Sequence, residues 1–352
     1  MIARGGDEIG ACATPSARRD LIAVMRRHAW LVLGAATAIA GAAALGIGSG
    51  DLGDARLGRT FLELRVARLG AAFLAGAALA VGGVIVQGLF RNPLADPSIL
   101  GTTAGASLGG RFALIGTDAL AAASLLPAAP PEMMLPIGCV LGAFGALGVL
   151  LLMDRGDEDV VVLLLTGLLL TSLLASIGAF VTSLAQERYE LARAMLAFSL
   201  GDVGGVGIRR IGLSAPMVVV GIFAAWRVAP TLDVLLSGED EATSLGVDVR
   251  ETRRICATWT AVLTAGAVAI GGGVGFVGLI VPHALRPIVG SAHARLIPAA
   301  ALLGGAFLVA CDAIARGLPT RSEVPLGVVT GLIGAPLFLW LLARSRRELG
   351  RG

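Results

Sequence analysis

Lysine is missing from all 352 residues, so the 28 basic side chains are all arginines. The phosphate cradle of a P-loop NTPase requires a lysine behind its glycine-rich turn. This chain is therefore not itself a P-loop ATPase, and any ATP-driven step belongs to a separate partner. Charge of either sign is scarce: 15% of residues are charged, 56% are hydrophobic and the mean hydropathy is +0.84. Those values exclude an ordinary soluble domain. The net charge of +3 and pI near 9.0 suit arginine-rich ends flanking apolar segments and give no case for nucleic-acid binding. Cysteine is rare too: Cys12, Cys139, Cys256 and Cys311 show no CxxC or Cys/His spacing and read as small packing residues. Neither a metal-ligand pattern nor a convergent catalytic constellation is visible, so no catalytic residue, metal or cofactor is assigned to the chain.

What is present is apolar sequence in lengths that cross a bilayer. Ten such stretches fall at 29–48, 68–90, 99–117, 133–153, 160–183, 211–228, 255–271, 274–290, 296–314 and 325–343, each long enough for a ~30 Å hydrocarbon core. The 50 glycines and the alanine-rich background suit helices that approach closely in lipid. The expected fold is all-α, a polytopic membrane protein of about ten transmembrane helices. Arginines at 18–27 and 344–351 mark both termini as cytoplasmic. Residues 1–28 read as a cytoplasmic tail, with no cleavage pattern of a removed signal peptide. Residues 29–343 form the membrane domain, and 344–352 a second cytoplasmic tail.

Between two of the greasiest spans lies Gln87-Gly-Leu-Phe-Arg-Asn-Pro-Leu-Ala-Asp-Pro-Ser-Ile-Leu-Gly101. Pro93 and Pro97 bias Asn92 and Asp96 toward extended backbone and free nearby carbonyls. Such backbone survives at membrane depth only inside protein or beside a watery cavity. Aligning the chain on itself places Ala71–Leu94 on Ala261–Ala284 without a gap, pairing Gly82, Gly83 and Gly88 with Gly272, Gly273 and Gly278. The copies lie five spans apart, so the internal repeat is inverted, an arrangement used for alternating access. The expected matching breaks are Arg91–Pro97 and Val281–Pro287.

The residues resemble the permease subunits of bacterial ATP-binding-cassette importers for iron chelates, haem and cobalamin, the large ten-helix class. The resemblance runs from about Leu31 to Arg344. It is carried by Arg65-x-x-Arg68, Gln87 with Asn92-Pro-Leu-Ala-Asp-Pro97, Gly238-Glu239 with Ala242 and Leu245-Gly246, Phe276-Val-Gly-Leu-Ile-Val-Pro-His283 with Arg286, Asp312 with Arg316, and Gly334-Ala-Pro-Leu-Phe338. One departure is Met195-Leu-Ala-Phe-Ser-Leu-Gly201, where relatives carry a Trp followed by Gly-Ser.

The resemblance implies a homodimer in the inner membrane, two ATPase subunits that bind ATP and magnesium, and a periplasmic substrate-binding protein, with the substrate an iron chelate and cobalamin the alternative. It makes Arg65, Arg68 and Arg316 docking residues for glutamates of the binding protein, against anchors for membrane lipid headgroups or helix caps. It makes Gly238, Glu239, Ala242, Leu245 and Gly246, in the polar segment 230–254, a coupling helix for the ATPase, against a solvated loop. The acidic Glu239, Asp240 and Glu241 would favour the first turn of such a helix, and Gly246 its end. Asn92 and Leu94, with Asp159, Val160 and Val161 at the start of the fifth span, become the cytoplasmic gate, against polar groups that merely satisfy the freed backbone. Thr166, Thr171, Ser172 and Ser176 lie near one face of the fifth span and line the pathway, or bond their own helix. His283 reads as a structural hydrogen-bonding residue, the only histidine at membrane depth, and not a ligand. Arg286 and Asp312 need partners at that depth, either each other or carbonyl groups. A membrane enzyme or an ion-driven transporter is the rival class.

Overall fold

The computed structural model describes residues 28–48, 57–123, 131–153, 160–318 and 323–349. Twelve α-helices occur among them: α1 (Ala29–Gly46), α2 (Gly58–Leu89), α3 (Thr102–Ala123), α4 (Pro131–Met153), α5 (Val160–Leu184), α6 (Tyr189–Leu200), α7 (Ile208–Leu235), α8 (Glu239–Ser244), α9 (Val249–Gly271), α10 (Val277–Val289), α11 (His293–Gly317) and α12 (Leu326–Leu349). Short 3₁₀ turns cover Pro97–Leu100 and Ala185–Glu187. No strand occurs among the described residues. Each of the ten apolar stretches falls on a helix. Seven helices are long and apolar enough to span a membrane, and α10 and the apolar part of α12 are shorter. The chain is an all-α, multi-pass membrane protein.

Burial sorts these helices. The apolar windows of α2, α9 and α11 are 78%, 72% and 61% buried, whereas those of α1, α5 and α7 are 17%, 22% and 22%. The first three form the centre, and the last three present apolar surface outward. Small residues set the spacing: α2 meets α11 at Gly76 and Gly304, and α3 meets α4 through Gly105, Gly109, Gly138 and Gly142. A Cβ at any of those four α3 and α4 positions would overlap a carbonyl oxygen of the facing helix, the close approach that glycine permits in lipid.

Several boundaries differ from expectation. Helix α2 starts ten residues before the expected span, since Gly58–Val66 simply continues it out of the apolar region. Residues Pro230–Leu235 extend α7, and Val249–Arg254 open α9. The turn that carries α8 is accordingly 236–248. Helix α6, at 12 residues too short to span, occupies the stretch that includes the Met195–Gly201 departure, with Met195 fully buried.

The second helix break is also elsewhere. Val281–Pro287 lies inside α10, with Pro282 and Pro287 both helical. The break is Gly272–Phe276, where Gly272 (φ +67°) and Phe276 (φ +68°) take left-handed backbone. Proline is tolerated at 282 because the carbonyl it leaves without a helical donor, that of Gly278, accepts Gln87 Nε2 at 3.1 Å. The free cysteines Cys139, Cys256 and Cys311 are all buried in helices, as packing residues would be.

Candidate translocation and coupling site

The first break follows α2. Arg91 takes a positive φ of 48°, the Asn92 N–H returns to Gln87 O at 3.1 Å, and Asn92 Oδ1 accepts the Leu94 N–H at 2.9 Å. Asp96 Oδ1 caps the 3₁₀ turn by accepting the Ser98 N–H at 2.9 Å. Local side chains thus satisfy this backbone. Leu94 is 42% exposed. Asp159 lies outside the described residues, and so do the side chains of Val160 and Val161, the first two residues of α5.

The second break is satisfied from afar: the Gly273 N–H reaches Phe198 O at 2.9 Å, and the Leu326 N–H reaches Gly201 O at 2.8 Å. The end of α6 therefore seals the gap between α9, α10 and α12. Gly201 (φ +81°) is required there, because a side chain would meet the backbone of Gly273 and Gly327. Gln87, 2% exposed, links the two breaks through Gly278. Between them lies a cavity of about 400 Å³ lined by Asp96, Ser98, Thr103, Gly273, Phe276 and Leu279, among others.

Beside the first break sits α8, the short helix expected between Gly238 and Gly246. Gly238 (φ +129°) and Gly246 (φ +85°) bound it, Ala242 is fully buried and Leu245 is 70% exposed. Glu239 Oε1 lies 3.3 Å from Arg253 Nη2 on α9 and 3.8 Å from Arg91 Nη2 in the break. The sequence marks Glu239 as a coupling-helix residue that favours its first turn, not as a partner of Arg91. Its reach to Arg91 is a tertiary fact.

The far end of α2 holds Arg65 and Arg68, on the order of 35–40 Å from Arg91 at ~1.5 Å rise per residue, and Arg316 of α11 meets them there. Arg65, 9% exposed, donates to Leu45 O at 2.7 Å and Gly48 O at 3.0 Å. Arg68 pairs with Asp312 at 2.9 Å and Glu323 at 2.7 Å, and Arg316 with Asp312 at 3.0 Å. Arg316 also donates to Ile47 O and Ala44 O. Asp312, 1% exposed, is thus the anion shared by two guanidiniums, and Arg286 is not its partner. Arg286 Nη1 is buried without a hydrogen bond.

On α5, Thr171 donates to Gly167 O and to Ser98 O, both at 2.8 Å, tying the helix to the first break. Ser172 and Ser176 are exposed and bond Leu168 O and Ser172 O within their own helix. Thr166 is half-buried on α5. His283 makes no hydrogen bond among the described residues. His283 is half-buried, whereas His293, 2% exposed, begins α11, with Asp233 Oδ1 2.6 Å from its Nδ1 and accepting its backbone N–H at 2.9 Å. The apolar run used to place the ninth span began after His293, which hid it. Among the described residues no cluster of His, Cys, Asp and Glu could hold a metal.

Two broken helices joined at a cavity, with a short acidic helix against one break, define a transport permease. The model of the FecCD transport family matches residues 28–344, and the chain belongs to that family, as an importer permease of the ATP-binding-cassette class. It is 40% identical over 267 residues to a cobalamin import permease of Halobacterium salinarum, covering 76% of this chain and 69% of that protein. It is 34% identical to a hemin transport permease of Yersinia pestis (78% and 80% covered) and 37% identical to an Fe(3+) dicitrate permease of Escherichia coli (77% and 81%). A solved structure described as an inward-facing conformation of a metal-chelate type ABC transporter superposes with a TM-score of 0.77 at 28% identity, covering 89% of this chain and 97% of that one.

Proposed function

We propose that the chain forms the membrane path of an importer that carries an iron chelate, haem or a ferric siderophore, from periplasm to cytoplasm across a bacterial inner membrane. It works as a homodimer with two ATPase subunits below and a substrate-binding protein above, and both termini are cytoplasmic. The observation that carries this reading is the connected set Glu239, Arg91, Gln87 and Gly278. It runs from the exposed helix α8 to the first break, where the Asn92 N–H bonds Gln87 O, and on to the second, a route by which a push on α8 would reach both. The missing lysine supports a separate ATPase.

In this reading the gate comprises Asn92 and Leu94 with Asp159, Val160 and Val161, and α8 seats in the ATPase through Leu245. Thr166, Thr171, Ser172 and Ser176 face the passing cargo. Arg65, Arg68 and Arg316 receive the binding protein's carboxylates, which would join or displace the half-exposed Glu323 on Arg68. Movement between outward and inward states follows from ATP favouring one of them in the ATPase dimer. Cobalamin is the second reading, favoured by the 40% identity to a cobalamin permease.

The test is reconstitution in proteoliposomes with the ATPase and binding protein encoded beside this chain. Uptake that needs both and needs ATP is expected. Uptake driven by an ion gradient without the ATPase overturns the proposal.

A further inference from the structure

Helix α3 carries Thr103, Ser107 and Arg111 at every fourth residue, which places them on one face. Thr103 lines the cavity between the two breaks, and its hydroxyl is buried there without a hydrogen-bond partner. Arg111 stands about 12 Å further along the same face, at ~1.5 Å per residue, near the middle of α3. Its guanidinium lies over Gly178 of α5, a position where any side chain would collide with it. Nη2 and Nε reach a single acceptor, Ser199 Oγ, at 2.9 and 3.3 Å. The Ser199 hydroxyl in turn donates to Met195 O at 2.6 Å, which fixes the fork.

The other arginines near membrane depth are compensated or closed off. Arg68 and Arg316 share Asp312. Arg65 and Arg210 donate to carbonyl oxygens at helix ends. Arg286 keeps Nη1 sealed from solvent. Arg111 is half-buried, has one neutral hydroxyl for a partner, and meets no carboxylate among the described residues. A charge kept at that depth marks a functional position, and the unspent edge of a guanidinium fork matches a carboxylate. Asp96, at the hinge end of the same cavity, has one oxygen committed to Ser98. Negative charge thus stands at the break end of the cavity, and positive charge at Arg111 two turns beyond Thr103.

We propose that the Thr103–Ser107–Arg111 face of α3 is a polar track of the translocation path, and that Arg111 receives a carboxylate of a metal chelate in transit. This rests on the importer reading and narrows its cargo to anionic, carboxylate-bearing chelates.

The experiment measures ATP-dependent uptake by the complete complex with three probes: ferric citrate and hemin, which carry carboxylates, and cyanocobalamin, which carries amides in their place. Wild type is expected to move at least one of the first two. Arg111→Gln should lower that uptake about tenfold, the worth of one charge-assisted hydrogen bond, and Arg111→Lys should restore most of it. Ser107→Asp places a carboxylate one turn from Arg111 and should mimic Arg111→Gln with the arginine still packed on Gly178, while the uncharged Ser107→Asn stays near wild type. Equal uptake by wild type, Arg111→Gln and Ser107→Asp overturns the proposal, and so does a wild type that moves cyanocobalamin alone. Equal losses in Ser107→Asp and Ser107→Asn also overturn it, by assigning the position to packing. A wild-type complex that moves none of the probes under ATP overturns this inference, whereas the importer reading falls only to uptake that runs on an ion gradient without the ATPase.

Discussion

The two helix breaks fall in or beside segments that align with each other in the sequence, yet they are built by opposite means. Phe90–Asp96 is closed locally: Asn92 and Asp96 cap their own neighbours, and prolines remove donors that would otherwise be unmet. Gly272–Phe276 has no polar side chain of its own, and α6, α10 and α12 surround it with backbone and bulk. It also falls earlier in the aligned segment than its counterpart, since Gly272 aligns with Gly82, which lies inside α2. A locally capped break keeps its shape when its neighbours move. A break held by neighbours changes when they do, so the second is the more responsive of the two. The only non-glycine residues with positive φ among those described, Arg91 and Phe276, sit one in each break, as expected where backbone strain is held by surrounding structure.

The strongest way to disturb the pair is to force it apart. Gly83→Ala would drive a Cβ into the backbone of Gly278, with no side chain available to yield. A loss of about 3 kcal/mol or more is expected, read as a large fall in Tm or failure to purify. Gly275→Ala, within the second break but facing open space, should stay near wild type; equal behaviour of the two would show that the breaks are not clamped together. Next comes Gln87→Leu, which removes the donor to Gly278 O. Pro282 leaves that carbonyl no helical donor, so about 1–3 kcal/mol should be lost, and uptake should fall with it. Wild-type stability in this variant would mean that the link between breaks is incidental.

Legibility in the sequence follows the same division. The first break is plain because proline, asparagine and aspartate act on their immediate neighbours. Helix α8 is equally plain, framed by Gly238 and Gly246 with acids in its first turn. The second break misleads because Pro282 and Pro287 look like the interruption, whereas glycines whose partners lie more than 70 residues away supply it. The resemblance singled out Arg65, Arg68 and Arg316, but not the buried cluster in which Arg68 and Arg316 share Asp312 while Arg65 and Arg316 hold the end of α1. That cluster needs α1, α2 and α11 brought together. His293 and Arg111 escaped for a similar reason, since a single polar residue in an apolar run says nothing about whether a partner awaits it.

A smaller effect separates capping from coupling. Asp96→Ala removes the cap of the 3₁₀ turn and should lower stability by about 1 kcal/mol, while Asp96→Asn, which keeps an acceptor, should recover most of it in a thermal melt. If both variants melt alike, the carboxylate matters for its charge in the cavity and not for its cap.

Arg91→Gly should change stability least and function most. Glycine relieves the positive φ, a gain of about 1 kcal/mol. The lost ion pair to Glu239 is 3.8 Å long with both side chains more than a third exposed, and pairs of that kind contribute under about 1 kcal/mol. The two terms nearly cancel, so Tm should barely move. What disappears is the connection between α8 and the first break, and the expected result is ATP hydrolysis without proportionate uptake. Glu239 has a second partner in Arg253 at 3.3 Å, so α8 itself stays seated and the deficit isolates the Arg91 arm. Pairing Arg91→Glu with Glu239→Arg restores the attraction at that arm but sets two arginines, 239 and 253, side by side. Partial recovery of uptake per ATP is therefore the most that the swap allows, and none at all would place the coupling on some other contact of α8.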